Sequence, residues 1–322
     1  MERVSALIQQ DMQAVEARFR KNLTSDVPLI GQVGEYLLSC GGKRIRPMLL
    51  LLAAKLCNYS GEHHIELAGV IEFIHSATLL HDDVVDGAEL RRGNRSANAV
   101  WGNEASVLVG DFLLAKSFSV MVGCNSFKVL QLLSDTTTQM AEGEIQQLLN
   151  TADLGIDENR YLDVIRDKTA ILIAAACQVG AILAEVSPQQ EAALREFGLE
   201  IGTAFQLMDD ALDYVADQEE FGKERGHDLE EGKMTLPLIH TYSKADTNEQ
   251  NEIAKIIEID ELSEVDLKRV CDLIEKYDGI EYTRLRASER IELAKVQLDI
   301  FPDNEIRNAL CVLADYVVAR NK

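Results

Sequence analysis

Two short stretches, far apart in the chain, make the same demand on any fold. Residues 81–92 read His-Asp-Asp-Val-Val-Asp-Gly-Ala-Glu-Leu-Arg-Arg, and residues 209–213 read Asp-Asp-Ala-Leu-Asp. Each cluster closes an apolar segment of helical periodicity. On a helix, Asp82 and Asp86 stand one turn apart on one face, where like charges repel. A hard divalent cation removes that penalty, and carboxylate oxygens are what Mg²⁺ accepts. Arg91 and Arg92 follow at once and supply fixed positive charge. Carboxylates, metal and guanidinium together suit a substrate bearing phosphates. A single cluster is as well explained as a solvated helix end. Two clusters of the form Asp-Asp-x-x-Asp are much harder to explain that way.

Composition narrows the fold to helices. Among 322 residues, 47% hydrophobic, only five are proline, and Ala, Leu, Ile and Glu dominate. The net charge of −22 argues against nucleic acid or anionic lipid as a general partner. It also repels a diphosphate, so such a substrate needs metal ions and local Lys or Arg. Cys40, Cys57, Cys124, Cys177, Cys271 and Cys311 are scattered, which predicts buried free thiols in a reducing compartment. The N-terminus lacks a basic region followed by an apolar run. The longest mostly apolar run, 170–184, is too short to span a bilayer. The expectation is a cytoplasmic protein with no transmembrane segment.

Along the chain, residues 2–20 form an amphipathic helix suited to be a packing arm. A second helix starts at Pro28 and ends near Cys40. Gly41-Gly42 then leads into Lys43, Arg44 and Arg46, directly before Pro47 and an apolar helix from Met48 to Leu56. A basic turn at a helix N-terminus adds side-chain charge to backbone N–H groups and makes an anion site. In the helix expected over 64–86, His75, Thr78, Asp82 and Asp86 are spaced by three, four and four and share a face. His81 turns elsewhere and reads as structural. Residues 87–103 form a polar connection holding Arg91, Arg92, Arg95 and Trp101. Helices are expected over 104–122, 127–149 and 158–185. Lys168-Thr169 precedes an apolar half, where a lysine needs a partner: a diphosphate or a motif carboxylate. Glu142, Glu144 and Gln146 read as supporting groups. From Ser187-Pro188 a helix runs to Asp213, with Gly202, Gln206, Asp209, Asp210 and Asp213 on one side. Residues 221–235 make a charged, glycine-rich loop suited to closing over phosphates.

The ordered motifs, Gly41-Gly42-Lys43-Arg44-Ile45-Arg46-Pro47, the Asp82 cluster and Phe205-Gln206-Leu207-Met208-Asp209-Asp210, resemble those of the trans-isoprenyl diphosphate synthases, closest to the long-chain polyprenyl branch. The resemblance runs from about Gly41 to the C-terminus. It implies an all-α fold: a single-domain isoprenoid-synthase-type helical bundle over 1–322, around a deep central cavity with both aspartate clusters at its mouth. It also implies a homodimer. Asp82, Asp83, Asp86, Asp209, Asp210 and Asp213 become metal residues for Mg²⁺, with Mn²⁺ as the alternative ion; Asp82, Asp86 and Asp209 are the direct holders. Lys43, Arg46, His75 and Arg92 match the isopentenyl diphosphate site, Arg91 the allylic diphosphate site, and Lys223, Lys233 and Asp228 the mobile loop. Lys168, Thr169, Gln206 and Lys233 would be catalytic.

The implied reaction is successive 1′–4 condensation of isopentenyl diphosphate onto an allylic diphosphate such as farnesyl diphosphate, with pyrophosphate leaving. Small residues at Ala77 and Thr78, where short-chain relatives tend to carry aromatics, imply a long, octaprenyl-like product of the kind quinone side chains need. Three rivals stand beside this reading. A non-catalytic or regulatory subunit of a heteromeric synthase is expected to lose motif residues. A di-iron carboxylate protein needs Glu-x-x-His pairs, and of Glu72/His75 and Glu224/His227 the second lies in a glycine-rich loop. A cyclising relative usually keeps only one full aspartate motif.

Overall fold

The computed structural model describes residues 1–91, 93–215, 226–259 and 262–319. Arg92 and Lys223, two of the expected substrate-binding residues, lie outside the described residues. The all-α expectation holds. Helices follow one another as α1 (Glu2–Asn22), α2 (Pro28–Ser39), α3 (Ile45–Leu56) and α4 (His63–Val85). A small hairpin of β1 (Leu90–Arg91) and β2 (Asn94–Arg95) comes next, pairing Leu90 with Arg95 and Arg91 with Asn94. Then come α5 (Ala97–Trp101), α6 (Asn103–Gly123), α7 (Phe127–Leu149), α8 (Glu158–Ile165), α9 (Ile171–Leu183) and α10 (Pro188–Asp213). Shorter helices from His227–Glu230 to Glu305–Val318 complete the chain. The helix starting at Pro28 begins where the sequence predicts, since proline's fixed φ suits the first turn. Helix α3 begins earlier than expected, at Ile45, and takes Pro47 into its first turn, where no intrahelical N–H bond is lost.

The chain divides into two compact units. The first comprises Met1–Thr137, Leu172–Gly198 and Lys295–Leu313; the second comprises Thr138–Ile171, Leu199–Ala294 and Ala314–Lys322. In the first unit, α3 and α4 are buried on nearly every face, as helices apolar all round must be. Leu49 to Ala54 are almost wholly enclosed, and each such leucine contributes about 1.5–3 kcal/mol by leaving water. The amphipathic reading of α1 is met: Val4, Ile8, Val15 and Phe19 turn inward, and Phe19 stacks on Phe73 of α4 with ring centroids 4.2 Å apart. Helix α9 passes close to α3 because Gly180 carries no side chain; a Cβ there would lie 2.6 Å from the Ala54 nitrogen. All six cysteines are free thiols, and burial pushes Cys57 up to about 12.

Helix α6 differs from expectation in kind. Among the described residues it is the one helix long and apolar enough to cross a membrane by length and composition, exceeding the 170–184 run. One side packs on α4, with Val109 and Leu113 in the core and the Ser106 hydroxyl donating to the Leu80 carbonyl at 3.0 Å. The other side carries Leu108 and Val122 at 66% and 61% exposure, interspersed with Glu104 and Asp111.

In the second unit, the helix expected over 158–185 is interrupted. Residues Arg166–Ala170 form a wide π turn between α8 and α9. Such turns are rare and often stand at functional sites. Two glycines on neighbouring helices enclose it. A Cβ on Gly143 of α7 would lie 2.6 Å from the Lys168 nitrogen, and one on Gly202 of α10 would lie 2.5 Å from the Ala170 Cα. Both contacts are with backbone, which cannot swing aside. Gly202→Ala is therefore expected to lower unfolding stability by about 1–3 kcal/mol. Urea denaturation measures it; an unchanged midpoint would show that the helices tolerate separation.

Candidate active site

The first aspartate cluster sits in the last turn of α4, with Asp86 as its C-cap. Successive helix residues point about 100° apart, so Asp82 and Asp86 share a face while Asp83 points elsewhere. Asp82 and Asp86 are half-buried; Asp83 is 1% exposed. A carboxylate so enclosed needs a charged or hydrogen-bonding partner. Arg91 supplies it, with Nε at 2.8 and 2.9 Å from the two oxygens and Nη2 at 2.6 Å. The hairpin positions Arg91, and Asn98 anchors the connection by donating to the Asp83 and Ala88 carbonyls at 3.1 Å. His81 stays structural, reaching Asp111 on α6 at 3.4 Å.

The glycine-lysine-arginine turn is bound to the same helix. Gly41 has φ of 72°, and Arg44, the N-cap of α3, has φ of 49°. An L-residue in the left-handed region costs about 1–2 kcal/mol. Arg44 is held there by an ion pair to Glu72, a buried carboxylate on α4. Three residues further on α4, His75 Nε2 lies 3.1 Å from Arg46 Nη1. Arginine can only donate, so that ring nitrogen accepts. Lys43 is exposed on the turn. The structure thus gathers Lys43, Arg44 and Arg46 beside His75.

The second cluster repeats the inward–outward split. Asp209 and Asp213 are half-buried, and Asp210 is 4% exposed. The Tyr161 hydroxyl donates to Asp210 Oδ2 at 2.5 Å, and Gln206 Nε2 donates to Oδ1 at 2.7 Å. Gln206 Oε1 accepts from the Thr169 hydroxyl at 3.1 Å. Burial, followed by the charge of Asp228, drives the Asp210 carboxyl well above the usual carboxylate range, against the two hydrogen bonds. Asp213 Oδ2 accepts from the Asp228 N–H at 3.1 Å and ties down the turn after Gly226. A pocket of about 110 Å³ opens here, lined by Tyr161, Lys168, Thr169, Gln206, Asp210 and Lys233, among others. Lys168 reaches Glu144 at 2.6 Å and Lys233 reaches Glu231 at 2.5 Å. The expected partner of Lys168 was a diphosphate or a motif carboxylate; Glu144 takes that place, in keeping with its supporting role.

Among the described residues, no three His, Cys, Asp or Glu side chains converge as a closed metal cage. Mg²⁺ is commonly held by one or two carboxylates with water and substrate phosphates completing the octahedron. Asp82 with Asp86, and Asp209, have the exposure for that part. Asp83 and Asp210 do not: their oxygens are turned into the fold and engaged by Arg91 and by Tyr161 and Gln206. Ala77, expected to govern chain length, is 2% exposed within a packed cluster containing Phe19, Phe73 and Leu113. Thr78 is half-buried, its hydroxyl donating to the His75 carbonyl at 2.9 Å. Sequence reading missed Tyr161 and the pairing of Glu72 with Arg44. The one-residue offset of Asp83 and Asp210 was the available signal for their inward turn.

The polyprenyl synthetase family model matches residues 27–274. Octaprenyl diphosphate synthase of Escherichia coli is 45% identical over 322 residues, covering 100% of this chain and 99% of that protein. A polyprenyl synthase from Caulobacter crescentus, solved with calcium and isoprenyl diphosphate, superposes with a TM-score of 0.96 at 42% identity, over 100% of this chain and 98% of that one. A decaprenyl diphosphate synthase from Rhodobacter capsulatus gives 0.95 at 42% identity, over 100% and 99%.

Removing one partner of a buried ion pair leaves the other charge uncompensated. Glu72→Ala is expected to destabilise the protein by about 2 kcal/mol, less than a fully enclosed pair because Arg44 keeps some exposure. Chemical denaturation of the variant reads this; a loss under about 0.5 kcal/mol would mean the turn is held by other contacts.

Proposed function

Since this chain belongs to the polyprenyl synthetase family and is a long-chain trans-prenyltransferase, we propose how its residues divide the work. The observation that carries the proposal is the repeated split of each aspartate motif into an outward set and one inward residue. The outward carboxylates, Asp82, Asp86 and Asp209, are assigned to Mg²⁺, or Mn²⁺, accompanying the allylic diphosphate. When bound, such ions would screen the diphosphate and ease departure of pyrophosphate. Lys168, Lys233 and one edge of the Arg91 guanidinium add fixed positive charge for the same leaving group. The guanidinium has five donors, more than its three bonds to Asp83 require. Lys43, Arg46 and His75 hold the diphosphate of isopentenyl diphosphate, a role the family resemblance extends to Arg92 and Lys223. Thr169 and Gln206 present oxygens toward positive charge developing on the allylic carbon. No protein base is assigned, since departing pyrophosphate can take the proton.

The product is assigned as an octaprenyl-like diphosphate for quinone side chains, made in the cytoplasm from farnesyl diphosphate. Thr78 stands one turn before Asp82 on the same face of α4 and is half-buried, whereas Ala77 points off that face and is already enclosed. Bulk at Thr78 is therefore the better obstacle. A second copy of this chain is assigned to the exposed side of α6. Leu108 and Val122 expose apolar surface along one side of α6, while Glu104 and Asp111 beside them are costly inside a bilayer. The reading as a non-catalytic subunit is disfavoured by the intact motifs, including every outward aspartate.

Incubation with Mg²⁺, farnesyl diphosphate and labelled isopentenyl diphosphate should give long prenyl chains from this protein alone. Asp82→Ala should cut turnover by at least about 100-fold; retention of most activity would refute its metal role. Thr78→Phe should shorten the products, and an unchanged chain-length distribution would place the growing chain elsewhere. Leu108→Glu should convert a dimer to a monomer by light scattering, whereas an unshifted mass would remove α6 from the interface.

A further inference from the structure

Thr169 and Gln206 line the pocket of the second unit, but what they present to it is decided behind them. A glutamine amide has an acceptor end and a donor end of nearly equal shape. Turned one way, it takes the Thr169 hydroxyl hydrogen. Turned the other, it offers N–H to the Thr169 oxygen and sends that hydrogen toward the pocket. The difference reverses the electrostatic sign of the wall. Asp210 makes the choice. Its Oδ1 lies 2.7 Å from Gln206 Nε2, so the donor end is drawn inward and Oε1 is left for Thr169 at 3.1 Å. When the carboxyl is ionised, both its oxygens accept. When neutral, with its proton on Oδ2 toward the Tyr161 oxygen, Oδ1 still accepts.

Asp210 is in turn held by Tyr161, an enclosed phenol on α8 whose hydroxyl lies 2.5 Å from Oδ2. The carboxylates of Asp209 on α10, Glu158 on α8 and Asp228 from the turn after Gly226 act on this pair. The backbone sets the same register independently. The wide turn 166–170 carries Thr169, and Gly202, one helical turn before Gln206, allows α10 to lie against Ala170.

We propose that Tyr161 and Asp210 are positioning residues: together they lock the Gln206 amide, and through it the Thr169 hydroxyl, so that the wall shows oxygen lone pairs to positive charge. This rests on the reading of the pocket as the place where allylic charge develops. It separates Asp210 from the metal-holding set, although Asp210 belongs to the same Asp-Asp-x-x-Asp motif.

Two near-isosteric variants test it. Asp210→Asn offers N–H to Gln206 and so permits the amide to turn; Tyr161→Phe keeps the ring and removes the hydroxyl. With farnesyl diphosphate, isopentenyl diphosphate and saturating Mg²⁺, kcat should fall about 10- to 100-fold in Asp210→Asn. KM for each diphosphate should stay within about threefold, and Tyr161→Phe should show the same split in weaker form. The double variant should be no slower than Asp210→Asn alone, because both changes act through one chain of bonds. Calorimetric titration of Mn²⁺ with inorganic pyrophosphate should give unchanged metal affinity in Asp210→Asn. Metal binding weakened tenfold would make Asp210 a ligand and overturn the proposal. So would an active wild type with both variants keeping kcat within twofold. A wild type that forms no prenyl product would bring down the functional reading, and this proposal with it.

Discussion

A carboxylate cannot be carried into a protein interior alone. Each Asp-Asp-x-x-Asp motif places its second aspartate where the helix turns toward the fold, and each time the interior answers with donors. For Asp83 the answer is the Arg91 guanidinium; for Asp210 it is the Tyr161 phenol and the Gln206 amide. Those partners do more than neutralise. Arg91 is drawn to the end of α4, bringing the hairpin with it, and Gln206 is given a fixed orientation. The outward aspartates then stand on helix ends that the inward ones have made rigid. Preorganised groups of that kind act on developing charge without having to move at the moment of reaction.

The same logic appears at the basic turn before α3. The glycines of residues 41 and 42 let the chain turn sharply, and Arg44 accepts a left-handed backbone in order to reach Glu72. The turn is thereby fixed to α4, the helix that also carries His75 and Asp82. In the second unit, close approach rather than charge does the fixing. Gly143 and Gly202 let two helices press on the π turn from α7 and α10, holding Lys168 and Thr169 in place.

Much of this was legible in the residues. The low proline count and helical spacing of α1, α4 and α10 gave the fold class, and the paired acidic motifs gave the family, because spacing along one helix is a local property. What was not legible depends on elements that meet only on folding. Nothing near Tyr161 in the chain announces Asp210, and nothing near Glu72 announces Arg44. The π turn is invisible for a similar reason. Residues 158–185 have ordinary helical periodicity, and the widening is set by glycines on other helices. Asp209 and Asp210, expected on one side of α10, part company because adjacent helix residues point about 100° apart, and the fold decides that Asp83 and Asp210 are the enclosed ones.

Metal binding and preorganisation both depend on that inward–outward division. Anomalous diffraction from crystals grown with Mn²⁺ and pyrophosphate tests it most directly. Manganese is predicted on the carboxylates of Asp82, Asp86 and Asp209, with Asp83 still bound to Arg91 and Asp210 still bound to Tyr161. Manganese coordinated by Asp83 or Asp210, or absent from the outward aspartates while pyrophosphate is bound, would contradict it.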